Sequence, residues 1–239
     1  MPLKRDKVSL ARALSKLGYT SRAKAGSYIR SGKVTVNGKT VTDPATLVDI
    51  GKDSIEVNEK ILARPNTIVV MLHKPRGYVT TSSDELSRKT VYELVPNDLH
   101  LFAVGRLDMD TSGLLLFTND GNLQNKITSP EKNVSKTYLA TVTGKVSAYK
   151  LDKFHRGIDI GTGTIVKADE CRIVSTEPSS TNVELKIHEG KNRQVRKMFE
   201  AIGKKVARLH RSAIGKLELD VPEGSWRTLS ENEIETIFR

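Results

Sequence analysis

The sequence predicts an α+β protein: a small N-terminal domain of two helices and a β-hairpin, then a larger domain with a mixed, mainly antiparallel sheet flanked by helices. Two observations support this prediction. Near the N-terminus, two stretches of helical apolar spacing precede strand-like residues that flank Asn37-Gly38, a strong signal for a two-residue hairpin turn. Beyond residue 66, strand-like and helix-like segments alternate, which is typical of one sheet covered by helices.

The N-terminal domain is expected to comprise residues 1–62. Ser9 is a candidate N-cap for the first helix, which Gly18 would end. A second helix is expected to start at Thr20-Ser21 and to end at Gly32. Cationic residues occupy one side of this second helix, and apolar residues occupy the other.

The larger domain is expected to span residues 63–239, after a linker at 60–66 in which Pro65 forbids a continuous helix. Strands are predicted at 68–72, 114–117, 138–142, 173–175 and 183–187. Helices are predicted at 91–94, 122–127, 148–154 and 194–202.

Charge and composition indicate a cytoplasmic protein that binds a polyanion. The formal net charge is +11, and residues 1–60 carry 12 Lys and Arg against 6 Asp and Glu. Cys171 is the only cysteine, so no disulfide can form within the chain, and a reducing cytosol is the natural compartment. The apolar runs are too short to span a bilayer, and no amphipathic helix favours a membrane surface over nucleic acid.

The polar segment 105–113, Gly-Arg-Leu-Asp-Met-Asp-Thr-Ser-Gly, lies between two apolar stretches and is predicted to be a loop on a rigid scaffold. Asp108 is the candidate catalytic residue. The residues alone leave alternatives open, because Asp108 and Asp110 could simply cap backbone N–H groups in a polar turn. On an extended backbone their carboxylates would share one face, which suits a divalent metal or a glycosidase-like pair.

This loop resembles the signature of bacterial ribosomal RNA pseudouridine synthases of the RsuA-like group, which act on small- or large-subunit RNA. Further motifs follow in the family's order: Lys-Pro-Arg-Gly-Tyr-Val-Thr-Thr at 74–81, Lys-Thr-Tyr at 136–138, and Glu-Gly-Lys-Asn-Arg-Gln-Val-Arg-Lys-Met at 189–198. The N-terminal helices and hairpin resemble an S4-type RNA-binding domain. The resemblance therefore covers nearly the whole chain.

The resemblance implies isomerisation of a specific uridine in ribosomal RNA to pseudouridine. Nothing is oxidised and no group is donated in that reaction, so no metal, redox cofactor or nucleotide cofactor is expected. The five histidines are scattered, and none pairs with a cysteine at metal-ligand spacing. Two alternatives remain: a non-catalytic RNA-binding or ribosome-assembly factor with the same fold, and a nucleotide-processing enzyme with a metal at Asp108 and Asp110.

The resemblance also implies roles for four residues near the reaction. Asp108 would attack a ribose carbon or remove a ribose proton, and the sequence does not decide between these routes. Arg196 is expected beside that carboxylate, where about 4 Å and an effective dielectric of about 20 give an attraction of roughly 4 kcal/mol. Tyr138 would stack on the uracil or be a core tyrosine. Arg106 would fill the gap left by the flipped uridine, or hold the loop.

RNA contacts are expected from both domains. In the N-terminal domain they involve Arg22, Lys24, Arg30 and Lys33. In the larger domain they involve Lys74, Lys136, Lys191, Arg193 and Lys197, although Lys74 and Tyr78 could instead support the site. Segment 186–216 carries ten Lys and Arg against two acids, and we interpret it as a helical stretch that forms a second phosphate-binding surface. The expected partner is 16S or 23S RNA or a ribosomal subunit precursor, bound by a monomer.

Overall fold

The structure, a computed structural model, describes residues 7–63, 66–97, 99–161 and 163–239. These residues form two compact units. The first extends to Thr67 and includes short segments that end at Leu101 and Gly121, and the second contains the remainder. Arg64 and Pro65, on which the linker prediction depends, lie outside the described residues.

The first unit contains two helices and two small antiparallel sheets. The helices are α1 (Leu10–Lys16) and α2 (Arg22–Arg30). One sheet pairs β1 (Val8–Ser9) with β4 (Leu47–Val48). The other has the order β3-β2-β5-β6, formed by β2 (Val34–Val36), β3 (Lys39–Thr40), β5 (Ile55–Val57) and β6 (Lys60–Ile61).

The predicted local signals act in this unit as expected. Ser9 and Ser21 occupy the N-cap positions of α1 and α2. The Ser21 hydroxyl accepts a hydrogen bond from the Lys24 amide, whereas the Ser9 side chain makes no capping hydrogen bond. Asn37 and Gly38 both have positive φ, at 52° and 76°, as a tight hairpin turn between β2 and β3 requires.

Helix α2 separates apolar from cationic side chains. Ala25 and Ile29 are fully buried against the core of the first unit. The four cations predicted to contact RNA are exposed on or just beyond this helix: Arg22, Lys24, Arg30 and Lys33.

The second unit is built on one large sheet with helices on its faces. Its strands are β7 (Val69–Lys74), β8 (Phe102–Val104), β9 (Thr111–Thr118), β10 (Lys136–Thr143), β13 (Glu170–Thr176), β14 (Ser180–Ile187), β15 (Val206–Ile214), β16 (Leu217–Glu218) and β17 (Trp226–Thr228). A separate hairpin pairs β11 (Ile158–Asp159) with β12 (Ile165–Val166). The helices are α3 (Gly121–Thr128), α4 (Ala148–Arg156), α5 (Gln194–Ala201) and α6 (Glu231–Thr236), with 3₁₀ turns at Val91–Leu94 and Pro130–Lys132.

The sheet has the order β13-β14-β10-β15-β9-β7-β17, and β8 and β16 pair with β9 and β15. Neighbouring strands are antiparallel except β9 and β15, which run parallel. The central strands β7 and β9 are buried almost throughout, which explains their unbroken apolar runs. The predicted α+β class with a mixed, mainly antiparallel sheet is therefore confirmed.

Two predictions about the second unit are wrong. Segment 186–216 is not a helical stretch, because it contains the end of β14, helix α5 and the whole of β15. The predicted loop 105–113 ends at Asp110, because Thr111 to Gly113 already belong to β9 and pair with β15. Long-range pairing outweighs local propensity in both places. Within the described residues, no helix is long and apolar enough to cross a membrane.

Candidate active site

The Asp108 loop lies at the end of the large sheet where β7 stops and β9 begins. Five successive backbone oxygens of this region accept hydrogen bonds from neighbouring elements. The bonds are Thr80 Oγ1 to Leu107 (2.8 Å), Lys74 Nζ to Asp108 (3.1 Å), Gly77 N to Met109 (2.8 Å), Arg196 Nη2 to Asp110 (3.0 Å) and Lys74 Nζ to Thr111 (2.9 Å). Because each peptide unit is held, the loop presents the Asp108 side chain in a fixed direction.

Lys74 is the centre of this support. Its side chain is fully buried, and its ammonium also donates to the Pro75 carbonyl at 3.0 Å. Burial lowers the pKa of Lys74 to about 8, although the charges of Asp108 and Asp110 act in the opposite direction. The predicted RNA contact is therefore corrected: Lys74 holds the Asp108 loop from behind, because its ammonium donates to three backbone oxygens of the protein.

Two arginines of the 189–198 motif neutralise the two aspartates of the loop. Arg193 Nη1 lies 3.6 Å from Asp108 Oδ2 and 3.3 Å from Asp110 Oδ1. Arg196 Nη2 lies 3.1 Å from Asp110 Oδ2. The expected pairing of Arg196 with Asp108 is thus corrected, since Arg196 pairs with Asp110 and Arg193 is the guanidinium close to Asp108.

The two arginines differ in burial because they occupy different parts of α5. Arg196 faces the sheet, is 6% exposed and also donates from Nη1 to the Val206 oxygen at 3.0 Å. Burial lowers the pKa of Arg196, and the charge of Asp110 partly opposes that effect. Arg193 is the exposed N-cap of the helix, and its hydrogen bonds to Asp110 raise its pKa.

The loop containing Arg193 is fixed by Gln194, a buried residue that the sequence did not single out. Its Nε2 donates to Glu189 Oε1 at 3.0 Å, and its Oε1 accepts from the Lys191 amide at 2.9 Å. Arg193 itself has a left-handed backbone, with φ of 52°. The turn therefore directs Arg193 toward the two aspartates while the rest of α5 packs on the sheet.

Asp108 opens into a cleft with a volume of about 690 Å³. Its side chain is 30% exposed, and Arg106 is exposed beside it. Other residues of the cleft wall come from β10, β15 and the 189–195 segment. Among the lining residues are Lys136, Tyr138, Ile187, Lys191, Arg193, Leu209, Arg211 and Ile214.

The side of the cleft formed by β10 carries Lys136 and Tyr138. Lys136 Nζ donates to the His188 oxygen at 3.0 Å, and burial followed by the charge of Arg211 lowers the pKa of Lys136 to about 8. Tyr138 is 9% exposed, and its hydroxyl lies 3.5 Å from Arg211 Nη1. The cleft thus combines a carboxylate, an aromatic ring and several cations.

Comparison with known proteins shows which family this chain belongs to. The sequence model of the RNA pseudouridylate synthase family matches residues 68–201, and the S4 domain model matches residues 8–55. A Bacillus subtilis protein named ribosomal large subunit pseudouridine synthase B is 39% identical over 231 residues, which cover 95% of this chain and 94% of that protein. The chain belongs to the RNA pseudouridylate synthase family.

Other relatives of this synthase agree with that assignment. An Aquifex aeolicus protein named as an uncharacterized RNA pseudouridine synthase is 38% identical, covering 97% of this chain and 94% of its own length. A Vibrio cholerae ribosomal large subunit pseudouridine synthase B is 33% identical, covering 94% of this chain and 72% of that protein. A crystal structure described as a pseudouridylate synthase superposes with a TM-score of 0.69 at 32% identity, covering 96% of this chain and 99% of that one.

In this synthase the cleft brings together most of the residues predicted for the larger domain. They are Arg106, Asp108, Lys136, Tyr138, Lys191 and Arg193. Lys74 and Arg196 lie behind them, and Lys197 is half-buried on α5. Sequence reasoning missed Thr80, Gln194 and Arg211. Thr80 and Gln194 lie within the family motifs at 74–81 and 189–198, but Arg211 has no motif to mark it.

Segment 186–216 does not form a single phosphate-binding surface. Lys186 and Lys216 line a second cleft of about 910 Å³, together with Cys171 and Arg172. Arg193 and Arg211 line the Asp108 cleft instead. The cations of the segment therefore divide between different clefts, because β15 and α5 place successive residues on different faces. Among the residues that the structure describes, no three His, Cys, Asp or Glu side chains are grouped as a metal site.

Proposed function

We propose that this synthase isomerises a specific uridine of ribosomal RNA to pseudouridine, with Asp108 as the catalytic carboxylate. The observation that supports this most directly is the position of Asp108, whose partly exposed carboxylate opens into the same cleft as Tyr138. Ribosomal RNA is proposed as the substrate because the similar proteins of Bacillus subtilis and Vibrio cholerae are named for the large ribosomal subunit.

We propose separate roles for three residues near Asp108: Arg193, Tyr138 and Arg106. Arg193 places a positive charge 3.6 Å from the Asp108 carboxylate, on the same side of the cleft. Tyr138 offers a ring on which the everted uracil would stack. Arg106, exposed on the wall of the cleft, would occupy the gap that the base leaves in the RNA, since Thr80, Gly77 and Lys74 already hold the loop.

The carboxylate would act at the ribose, either by attacking C1′ or by removing a proton from the sugar. Both routes detach the base at N1 and rejoin it at C5 without oxidation or group donation. We therefore propose that catalysis needs no metal and no redox or nucleotide cofactor, and we expect activity to survive metal chelators. We further propose that the protein acts in the cytoplasm as a monomer, with residues 1–62 as the RNA-binding domain and 63–239 as the catalytic domain.

The decisive experiment maps pseudouridines in the ribosomal RNA of cells that lack this protein. Complementation with the natural chain should restore one or a few sites, and Asp108→Asn should restore none while the purified variant still binds RNA. Asp152→Asn is the control, since the Asp152 side chain is 43% exposed and pairs with Arg156, and it should restore the sites fully. Restoration by Asp108→Asn would contradict the catalytic assignment. Tight RNA binding without any protein-dependent pseudouridine would favour the alternative, an RNA-binding assembly factor.

A further inference from the structure

Arg211 is a buried cation in the wall of the Asp108 cleft, and none of the roles above involves it. Arg211 is only 4% exposed. On β15 it lies directly opposite Tyr138 of β10 and Gly113 of β9. Gly113 has φ of 115°, and a Cβ there would overlap the Arg211 backbone, so the glycine permits β9 and β15 to approach closely. The backbone of three strands therefore fixes the position of Arg211.

The guanidinium of Arg211 is only partly satisfied by the protein. Its Nε donates to the Leu114 oxygen at 2.7 Å, and its Nη1 donates to the Tyr138 hydroxyl at 3.5 Å. Its Nη2 is buried and has no hydrogen-bond partner among the described residues. A buried donor without a partner is costly and therefore uncommon in a native protein unless it has a function.

The carboxylates of the site do not neutralise this cation, because Asp108 and Asp110 pair with Arg193 and Arg196. Lys136 lies on the same side of the cleft and responds to the charge of Arg211. The β10 and β15 side of the cleft therefore carries two cations, Lys136 and Arg211, and the loop at 105–110 contributes the Asp108 carboxylate. A ligand between them would meet a carboxylate on its sugar side and cations on its base side.

The reaction creates an anion that fits these two cations. When the C1′–N1 bond breaks, its electron pair stays with N1, and the negative charge spreads over N1, O2 and O4 of the uracil. The base then forms the C1′–C5 bond, C5 loses its proton, and N1 gains one, so that product and substrate are isomers. Fixed donors directed at the charge that develops during a reaction are an effective form of catalysis.

We propose that Arg211 is a further catalytic residue, whose Nη2 donates a hydrogen bond to a carbonyl oxygen of the target uracil and stabilises the base anion between C1′–N1 cleavage and C1′–C5 formation. Nη1 of the same guanidinium lies 3.5 Å from the Tyr138 hydroxyl, and its Cζ lies 6.0 Å from the centroid of that ring, so Nη2 belongs to a group that adjoins the ring on which the base would stack. This inference rests on the proposed function of Asp108 and adds an electrostatic role on the base side.

The test measures, under single-turnover conditions, how fast the C1′–N1 bond of the target nucleotide is cleaved in two RNAs. Both are transcripts of ribosomal RNA fragments, one made with uridine and the other with 5-fluorouridine. Fluorine withdraws electrons and stabilises the base anion, so cleavage of the fluorinated nucleotide needs less help from a cation. Arg211→Gln should slow loss of uridine by about 10²–10³-fold, as removal of an anion-stabilising donor does elsewhere. With 5-fluorouridine the rate of the natural chain divided by the rate of Arg211→Gln should be at least about ten-fold smaller than with uridine. The fluorinated anion depends less on the charge that the variant lacks.

Two further variants distinguish a role in anion stabilisation from other roles of Arg211. Arg211→Lys keeps the charge and should show a smaller deficit with the same dependence on the base, and it replaces Arg211→Gln if that variant does not fold. Arg172→Gln, on the surface of β13, should leave both rates within about two-fold of the natural chain. Equal deficits for both RNAs, or a deficit below about three-fold, would overturn the inference. Failure of the natural chain to convert uridine, or activity in Asp108→Asn, would instead overturn the proposed function.

Discussion

The buried guanidinium of Arg196 contacts Asp110, with Nη2 at 3.1 Å from the carboxylate oxygen Oδ2 and 3.0 Å from the backbone oxygen of the same residue. Arg196 therefore fixes the end of the Asp108 loop, while the exposed Arg193 lies beside Asp108. The two arginines of the 189–198 motif thus have separate tasks. Arg196 maintains the fold of the loop, and Arg193 sets the electrostatics of the open cleft.

This difference predicts that Arg196→Met mainly lowers stability and that Arg193→Met mainly lowers activity. Arg196→Met should lower the free energy of unfolding by about 1.5–3 kcal/mol, because it removes buried hydrogen bonds to Val206 and Asp110. Arg193→Met should change the free energy of unfolding by less than about 1 kcal/mol, since the ion pairs of Arg193 are exposed. The same substitution should slow isomerisation. Urea denaturation and single-turnover kinetics measure the two quantities. A larger stability loss in Arg193→Met than in Arg196→Met would contradict this assignment.

A second prediction concerns Thr80, which braces the loop just before Asp108. Its hydroxyl donates to the Leu107 oxygen at 2.8 Å and accepts from the Leu107 amide at 3.3 Å. Thr80→Val keeps the shape and removes both bonds, so we expect a stability loss of about 1 kcal/mol. Catalysis should fall by roughly 10–100-fold, because a small displacement of the carboxylate is costly.

RNA affinity separates this effect from a loss of binding. The dissociation constant of Thr80→Val, measured by fluorescence anisotropy, should stay within about two-fold of the natural value, because the hydroxyl bonds only to the protein backbone. Thr81→Val is the matched control, since the Thr81 hydroxyl donates to the Ser83 oxygen at 2.6 Å and not to the Asp108 loop. A Thr81→Val variant that lost as much activity as Thr80→Val would show that the local turn, rather than the bond to Leu107, matters.

A third prediction follows from the pKa of Lys136, which burial and the charge of Arg211 lower to about 8. The ammonium is charged below that pH and loses its charge as the pH rises through it, whereas a lysine in water stays charged to about 10.4. If Lys136 contacts the bound RNA, affinity should weaken by up to roughly ten-fold between pH 7 and pH 9.

Lys136→Arg provides the control for this pH effect. An arginine stays charged throughout that range, so the variant should show a flatter dependence of RNA affinity on pH. Lys74 also has a pKa of about 8, but it is present in both proteins and its effect cancels in the comparison. Parallel pH profiles for the two proteins would exclude Lys136 as a charged RNA contact.

A fourth prediction concerns the cationic side of α2. Replacing Arg22, Lys24 and Arg30 with glutamine should weaken RNA binding and reduce the slope of log affinity against log salt by about 0.7–0.9 for each phosphate that the protein no longer neutralises. Lys39, Lys52 and Lys60 are exposed in the same unit, and their triple replacement removes the same charge. Equal changes in slope for the two triple variants would indicate a general charge effect rather than direct binding of phosphates by α2.

The sequence by itself determined most of the architecture. Helical spacing and N-cap signals located α1 and α2, and Asn37-Gly38 fixed the hairpin, because these features depend on interactions between near neighbours. In the larger unit, the five predicted strands overlap observed strands. The motif around Asp108 also led to the cleft, since its flanking apolar runs are local and unambiguous.

Only the tertiary structure decided which cations line the Asp108 cleft and which support the loop. Lys74 and Arg211 occupy buried positions where an apolar residue would be expected, and their burial is possible because backbone oxygens far along the chain accept their hydrogen bonds. Arg211 bonds to Leu114, 97 residues away, and to Tyr138, 73 residues away. Partners so distant along the chain leave no trace in the periodicity of a single strand. The sequence therefore showed only a basic segment, where the fold places a partly satisfied guanidinium in the wall of the Asp108 cleft.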